Sequence, residues 1–399
     1  NFERNALVSV RAAYGKMVAK VTGNDLSKDG IRDLVAKACQ MAKVAPADVD
    51  FPGFPKGPFT YPFKVEYYED TACLTPDARA KTLLKIFEIG GNSYKAAGVL
   101  ANSAITFVVV NSHNVRAGCN ATSAKLTVLY TGENSSGYSE DQKRDFSALD
   151  VEGCAIKALA KAEASRNPDS SVPSGTYTVV LEEECVATMM NFLSWLGFSA
   201  KDYQDKESFL YGRMGQRVTG ENITIVDDAS DERTLGLPFD FEGVPKKKLV
   251  LIENGVAKGY AHNYRTAKKE GVESTGHHIG IETPLPLNLV MSAGDAEDDE
   301  LIASTDYGIL VSRFHYTNVV NPKETVITGM TRDGTFLIEN GKISKGLTNF
   351  RFTQNILKAL EDCVAISKSQ RLSSSFFGGG AVVPKIKVKN FNFTGKTEF

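Results

Sequence analysis

Residues 181 to 193 read LEEECVATMMNFL: a β-branched run from Tyr177 to Leu181 leads into three acids, Glu182, Glu183 and Glu184, then Cys185 and an apolar series. Metallohydrolases often carry their ligands on a helix entered in this way. Metal chemistry needs convergent His, Cys or carboxylate donors. The chain has five His (His113, His262, His277, His278 and His315), and none lies on this helix. Adjacent His277 and His278 would point to opposite sides of a strand and could share an ion only in an irregular turn. Asp227-Asp228, Asp240-Phe241-Glu242 and the acidic run Asp295 to Glu300 add carboxylates, but acids in turns usually serve as caps or solvated groups. The helix also has a plain structural reading. Its acids fall in the first turn, where the helix dipole favours negative charge. Cys185, Val186, Met189, Met190 and Leu193 recur at helical spacing and predict a core stripe.

Other catalytic signatures are missing. There is no GxSxG elbow and no GxGxxG after a strand, and Gly395-Lys396-Thr397 lacks the earlier Gly of a phosphate loop. A net charge of −2 argues against a nucleic-acid binder, and the short basic run Lys246 to Lys248 reads as a solvated face. Six Cys without a CxxC pair suggest buried or free thiols in a reducing compartment rather than a disulfide framework.

The elements that must position these residues are of two kinds. At 399 residues and 42% hydrophobic, the chain suits two globular domains. No apolar run approaches the roughly 18 residues of a membrane span. The start, NFERNALVSV, has no signal-peptide pattern, so a cytoplasmic location is expected; it begins mid-pattern without Met, as though an upstream segment were missing. Residues 6 to 23 read as strand, turn, strand. Ser27 caps a helix and Thr75-Pro76 opens another. Strands are expected at Ile105 to Val110 and Lys125 to Tyr130, and a third helix at Leu149 to Ala164. After the Pro- and Ser-rich stretch 166–175, strands are expected at 223–229, 247–255, 306–314, 335–343 and 384–395. Asn254-Gly255 and Asn340-Gly341 sit between β-prone runs and predict type I′ hairpins. A helix from Thr353 to Ser369 and a flexible run at 373–380 complete the reading. The expectation is an α+β protein: a mixed N-terminal domain (1–165), a linker (166–175) and a larger, mainly β C-terminal domain (176–399).

Several segments together resemble the TldD/PmbA family. They are SFLYGRMGQRV (208–218), ITIVDDA (223–229), the long stretch from PFDFEGVPKKKLVLIENG to VESTGH (238–277), DYGILVSRF (306–314), LIENGKISKG (337–346) and VVPKIKVKNFNFTG (382–395). Residues 8–43 are similar to that family's N-terminal domain, less its opening strands. The resemblance implies a family linked by name to modulation of DNA gyrase. Its TldD branch is a zinc peptidase, with metal on the two His of an HExxxH helix and a later Cys. Its PmbA branch, also called TldE, lacks the motif and pairs with TldD. Here the HExxxH segment falls on Glu183 to Thr188, EECVAT. Glu184 keeps the place of the general base, while Glu183 and Thr188 stand where the His would be. The Gly-rich stretch 371–384 contains no Cys.

The resemblance therefore implies a PmbA-like, non-catalytic subunit with no metal of its own, zinc being expected in a TldD-like partner. Its implied ligands are extended, unfolded peptides, with no direct contact to nucleic acid or membrane. Ser208, Phe209, Thr275, Gly276 and His277 lie in shared motifs at expected loop ends and are the candidate peptide-binding residues; their other reading is that they fix turns. Two alternatives stay open. One is a stand-alone homodimeric peptide-binding or scaffold protein. The other is a hydrolase with a different centre, for which Glu183, Glu184, His277 and Cys363 are the available reagents.

Overall fold

Local signals set the elements of the N-terminal part. The computed structural model describes residues 2–374 and 380–397. Tyr14 and Met17 close a hairpin of β1 (Val8–Tyr14) and β2 (Met17–Gly23). The Ser27 side chain accepts from the Gly30 amide and starts α1 (Lys28–Val44), which packs on that hairpin. A short α2 (Glu69–Ala72) precedes α3 (Pro76–Gly90), where Thr75 caps the Ala78 amide and Pro76 takes the first turn. Next comes an antiparallel meander of β3 (Lys95–Val110), β4 (Arg116–Thr131) and β5 (Ser136–Lys143). Asp150 then caps α4 (Val151–Ala164) through the Gly153 amide. One face of this sheet and helices α3 and α4 enclose a core that includes Leu126, Val128, Tyr130, Ala155 and Ala158.

The C-terminal part begins with β6 (Gly175–Leu181), α5 (Glu183–Gly197) and α6 (Ala200–Gln204). Short elements follow: β7 (Ile225–Asp227), β8 (Leu249–Glu253), β9 (Val256–Ala257), α7 (Tyr264–Glu270), β10 (Asn288–Met291) and α8 (Asp298–Ala303). The long hairpin β11 (Tyr307–Asn321) and β12 (Val326–Glu339) leads to β13 (Lys342–Gly346), β14 (Phe350–Asn355) and α9 (Ile356–Glu361). The chain ends in β15 (Cys363–Ile366), β16 (Arg371–Ser374), β17 (Gly380–Val383) and β18 (Ile386–Lys396).

Strands β11, β6, β18, β14 and β12 pair in turn, and β12 pairs back on β11, so the sheet closes on itself. Closure removes exposed edges, and Phe314, Phe352, Phe391 and Phe393 fill the core beside it. A second sheet runs β16-β17-β10-β7-β8-β9. Helix α5 packs against both sheets through β11 and β17. Twelve of its 15 residues are buried, so it is enclosed on all sides rather than along one stripe.

The α+β expectation agrees with this architecture. Both Asn-Gly pairs have positive φ at both positions (48° and 80° at Asn254-Gly255, 52° and 74° at Asn340-Gly341), as a type I′ turn requires. The stretch 335–343 therefore spans the end of β12, the turn and the start of β13, not one strand. The helix expected from Thr353 to Ser369 is only Ile356–Glu361. Thr353 belongs to β14, the Asn355 side chain caps Lys358, and Cys363–Ile366 returns to strand beside β18. Of the run 373–380, residues 375–379 lie outside the described residues, while Ser373, Ser374 and Gly380 belong to β16 and β17. The stretch 166–175 is tied down: the Asp169 amide donates to Gly346 O, and Asp169 O accepts from the Thr348 amide.

Candidate functional site

Because α5 is enclosed, the acids at its start are taken out of water. Glu182, Glu183 and Glu184 are only 5%, 5% and 7% exposed, which demands paired cations. Lys157 and Lys161, one turn apart on α4, approach from one side. Lys161 Nζ bonds Glu182, and Lys157 Nζ lies 3.7 Å from carboxylate oxygens of both Glu182 and Glu183. Arg371, the first residue of β16, approaches from the other. Its Nη2 is 2.6 Å from Glu184 Oε1 and 3.5 Å from Glu183 Oε2.

Burial pushes the Glu182 carboxyl up, but Lys161 and Lys157 outweigh it and hold the group well below the usual carboxylate range. Glu183 is likewise lowered, Lys157 and Arg371 overcoming its burial. For Arg371, burial opposes the charge, yet Glu184 and Glu183 raise its pKa on balance. The cluster is a set of fixed ion pairs at neutral pH.

Arg371 also ties this cluster to the N-terminal sheet, donating from Nη1 to Glu140 O on β5. The Glu140 side chain, itself buried, accepts from Ser373 Oγ and from the amide and hydroxyl of Ser374. Lys161 donates to Tyr138 O. Two successive outward carbonyls of β5, at Tyr138 and Glu140, are thus occupied by cations of the same chain.

A metal held by residues 183 and 188 does not fit this arrangement. Thr188 turns its hydroxyl back along the helix and donates to Glu184 O at 2.8 Å. Both neighbouring carboxylates are neutralised by guanidinium and ammonium groups. Among the described residues, no three His, Cys, Asp or Glu converge as a possible ligand set.

The five candidate peptide-binding residues fall into two groups, and no hydrogen bond joins one group to the other. Ser208 and Phe209 sit beyond the far end of α5. Ser208 Oγ donates to Gly197 O and accepts from the Leu210 amide, while Phe209 packs edge-on against Phe198. Both are nearly buried, yet they form part of the wall of a cavity of about 540 Å³ with Lys206, Tyr211 and Arg213.

Thr275, Gly276 and His277 surround Asp227 instead. His277 has no exposed surface; its Nε2 is 2.8 Å from Asp227 Oδ2, and its Nδ1 is 2.8 Å from Thr275 Oγ1. The order Thr, His, Asp is that of a nucleophilic triad. Here, however, Thr275 Oγ1 already accepts from the His262 amide and lies 3.0 Å from His262 O. Burial and Lys246 outweigh Asp227 and hold His277 below the usual imidazole range, so it is neutral at pH 7 and donates to the buried carboxylate. Gly276 has φ +73°, and a Cβ there would come within 2.3 Å of Pro245 O, so only glycine fits. Thr275, His277 and Asp227 thus form one chain of hydrogen bonds, and Gly276 permits the turn between the first two.

The reagents of an alternative hydrolase centre are not brought together. Cys363 is buried with its thiol pushed up to about 12 by burial, and it points at Ala365 O. His277 is engaged with Asp227, and the two glutamates with Arg371 and Lys157. The reading from sequence missed Arg371, Glu140, Lys157 and Lys161. Only the last two left a trace there, as lysines four apart in the Ala-rich helix AIKALAKAEA.

Residues 174–395 match the PmbA/TldA metallopeptidase C-terminal domain. A metalloprotease of Methanocaldococcus jannaschii is 25% identical over 94% of this chain and 86% of its own length. An uncharacterised protein of the same organism is 33% identical, but over only 39% of this chain; the chain spans about a third of that relative, 36% of its length. Two solved structures share the fold. TldE from Thermococcus kodakarensis gives a TM-score of 0.87 at 24% identity, over 98% of this chain and 90% of that one. A Thermotoga maritima protein described as a modulator of a DNA gyrase gives 0.83 at 21% identity, over 97% and 88%. With more than half of its residues matched by the domain and nearly all of them by the fold, the chain belongs to the TldD/PmbA family of metallopeptidase-like proteins.

Proposed function

We propose that this chain is a non-catalytic, PmbA-like member of a TldD-type peptidase system, contributing binding surface while a metal-bearing HExxxH partner performs hydrolysis. The observation that carries this reading is the ion pairing of Arg371 with Glu184 and Glu183. Glu184 stands where a general base would act on metal-bound water, and here that carboxylate is committed to a guanidinium. A fixed cation supplies charge but carries no exchangeable water, so it cannot generate the nucleophile.

The ligands proposed for the assembled system are extended, unfolded peptides, which strand edges recognise through the main chain. The β5 edge is poorly suited to this role in the present chain, because Lys161 and Arg371 cover its carbonyls. The opposite edge of that sheet is better suited. There, among the described residues, β3 pairs with β4 alone, runs for 16 residues and carries exposed Val99, Ile105 and Val108. We assign peptide or partner docking to β3. Among the described residues no helix is long and apolar enough to cross a membrane.

The test is purification of the chain alone and after co-expression with an HExxxH relative, followed by zinc analysis and peptide cleavage. Alone, it is expected to hold less than a tenth of an equivalent of zinc and to leave peptides intact, with both properties appearing only in the co-purified pair. Stoichiometric zinc with cleavage by the chain alone overturns the reading. A stable homodimer that ignores the HExxxH protein replaces the heteromeric subunit by the stand-alone binding protein.

A further inference from the structure

Helix α5 has a second end. Where its last turn emerges from the core, Trp195 and Leu196 meet the 279–285 segment and the β11–β12 hairpin around a groove of about 730 Å³. Its apolar wall includes Trp195, Leu196, Ile281, Leu285 and Val319. Trp195 and Ile281 keep 46% and 56% of their surface in water, unusual for large apolar groups at a concave surface. The charged residues of the groove are Asp202, Glu207 and Lys323, so two acids face one base.

Asp202 is the informative member. It is partly buried at the start of α6, and burial pushes its carboxyl up to about 6. Lys201 and the Ser199 hydroxyl oppose that shift, while Glu207 and Asp205 add to it. A carboxylate held half out of water beside an apolar wall is stabilised by a cation carried on an apolar body. An ammonium near an indole face gains a further cation–π attraction.

We propose that this groove binds the N-terminal residue of an extended peptide, its bulky apolar side chain against Trp195 and its α-ammonium at Asp202. One residue meets both demands only at a chain terminus, where the ammonium and the side chain branch from the same carbon. An internal Lys or Arg places its charge several methylenes away and leaves the apolar wall to a different residue. The inference takes its class of ligand from the peptide-handling role proposed above, and adds a preference for free, apolar N-termini.

Trp195 is the chain's only tryptophan, so its emission reports on this groove alone. The full chain, with chelator present, is titrated with Phe-Leu-amide and with its N-acetylated form, neither of which contains Trp. The expected result is a saturable emission change with the free amine and at least tenfold weaker binding of the acetylated peptide. Asp202→Asn should weaken the free amine tenfold and leave the acetylated form unchanged. Binding to the unmodified chain should also weaken as pH falls from 7.5 to 5, when Asp202 takes up a proton. Equal binding of the two peptides, or no emission change at millimolar concentration, overturns the proposal. If Asp202→Asn does not fold, the acetylation contrast on the unmodified chain and Glu207→Gln decide it. Zinc and cleavage by the chain alone would overturn the non-catalytic reading without altering this titration.

Discussion

Arg371 Nη2 lies 2.6 Å from Glu184 Oε1, joining the first residue of β16 to the start of the enclosed helix α5. Neither side chain is free to leave, since both are largely buried, with 19% and 7% of their side chains exposed. Removing the cation strands the Glu184 carboxylate in a low-dielectric site and leaves Glu183 with Lys157 alone. Arg371→Met is therefore expected to lower the unfolding free energy by about 3–5 kcal/mol, the usual cost of breaking a buried pair from one side. Urea unfolding measures it. The double variant Arg371→Met/Glu184→Gln should recover part of the loss, because the uncompensated charge is gone.

The same cluster sets a pH dependence. The carboxyls of Glu182 and Glu183 are held below their usual 4.5 by Lys161, Lys157 and Arg371, which outweigh burial. A depressed carboxyl contributes stability that is fully present above its unfolded value and is lost as pH falls through the folded one. Thermal midpoints should therefore fall steeply below about pH 4.5. Lys161→Met removes the partner of Glu182, so its deficit relative to the parent chain should be largest near pH 7 and shrink towards pH 3. A deficit that stays constant with pH would rule out the ion pair as its source.

Close backbone approach places β5 against α4, and so Glu140 near Arg371. A Cβ on Gly137 would lie 2.1 Å from Ala158 O and 2.4 Å from the Ala162 amide nitrogen. Gly137→Ala should force the strand off the helix at a cost of about 1–3 kcal/mol, as overpacking does. Faster hydrogen exchange at β5 amides, with exchange in β11 and β12 unchanged, is the expected signature.

The Thr275–His277–Asp227 geometry is expected to be structural. His277→Ala leaves the Asp227 carboxylate with the Asn288 amide as its remaining hydrogen-bond donor, and should cost about 3 kcal/mol or more in denaturant unfolding. His277→Gln, which can still donate, should cost less. Activated esters should be hydrolysed no faster by the parent chain than by Thr275→Ala. A faster parent chain would mean that the threonine acts as a nucleophile.

Features governed by a few neighbouring residues were legible in the sequence. Ser27, Thr75-Pro76 and both Asn-Gly pairs act within one turn and lie where expected. The α5 acids were legible as a first turn but not as buried groups, because their cations come from α4 and from β16, the latter 187 residues away in sequence for Glu184. No local pattern specifies such a pairing. The overlong helix at 353–369 fails for a related reason. Its apolar spacing suits a helix, but Asn355 and the strand-pairing of Cys363–Ile366 with β18 divide it. That His277 is enclosed and bonded to Asp227 was not legible either, because the two lie 50 residues apart in sequence.

Restoring the family's two His should not restore a metal. Position 183 lies beside the Arg371 guanidinium, whose Nη2 is 3.5 Å from Glu183 Oε2. Glu183→His/Thr188→His would thus set its imidazoles next to a fixed cation that repels a divalent metal ion. Isothermal titration with zinc is expected to show no binding tighter than about 10 μM, far weaker than the 10–16 kcal/mol of structural zinc sites. Adding Arg371→Ala to the pair should improve affinity by removing the competing cation. If the two His alone bind zinc stoichiometrically and tightly, Arg371 does not occupy the metal's place, and the ion pair is an ornament of the site rather than its replacement.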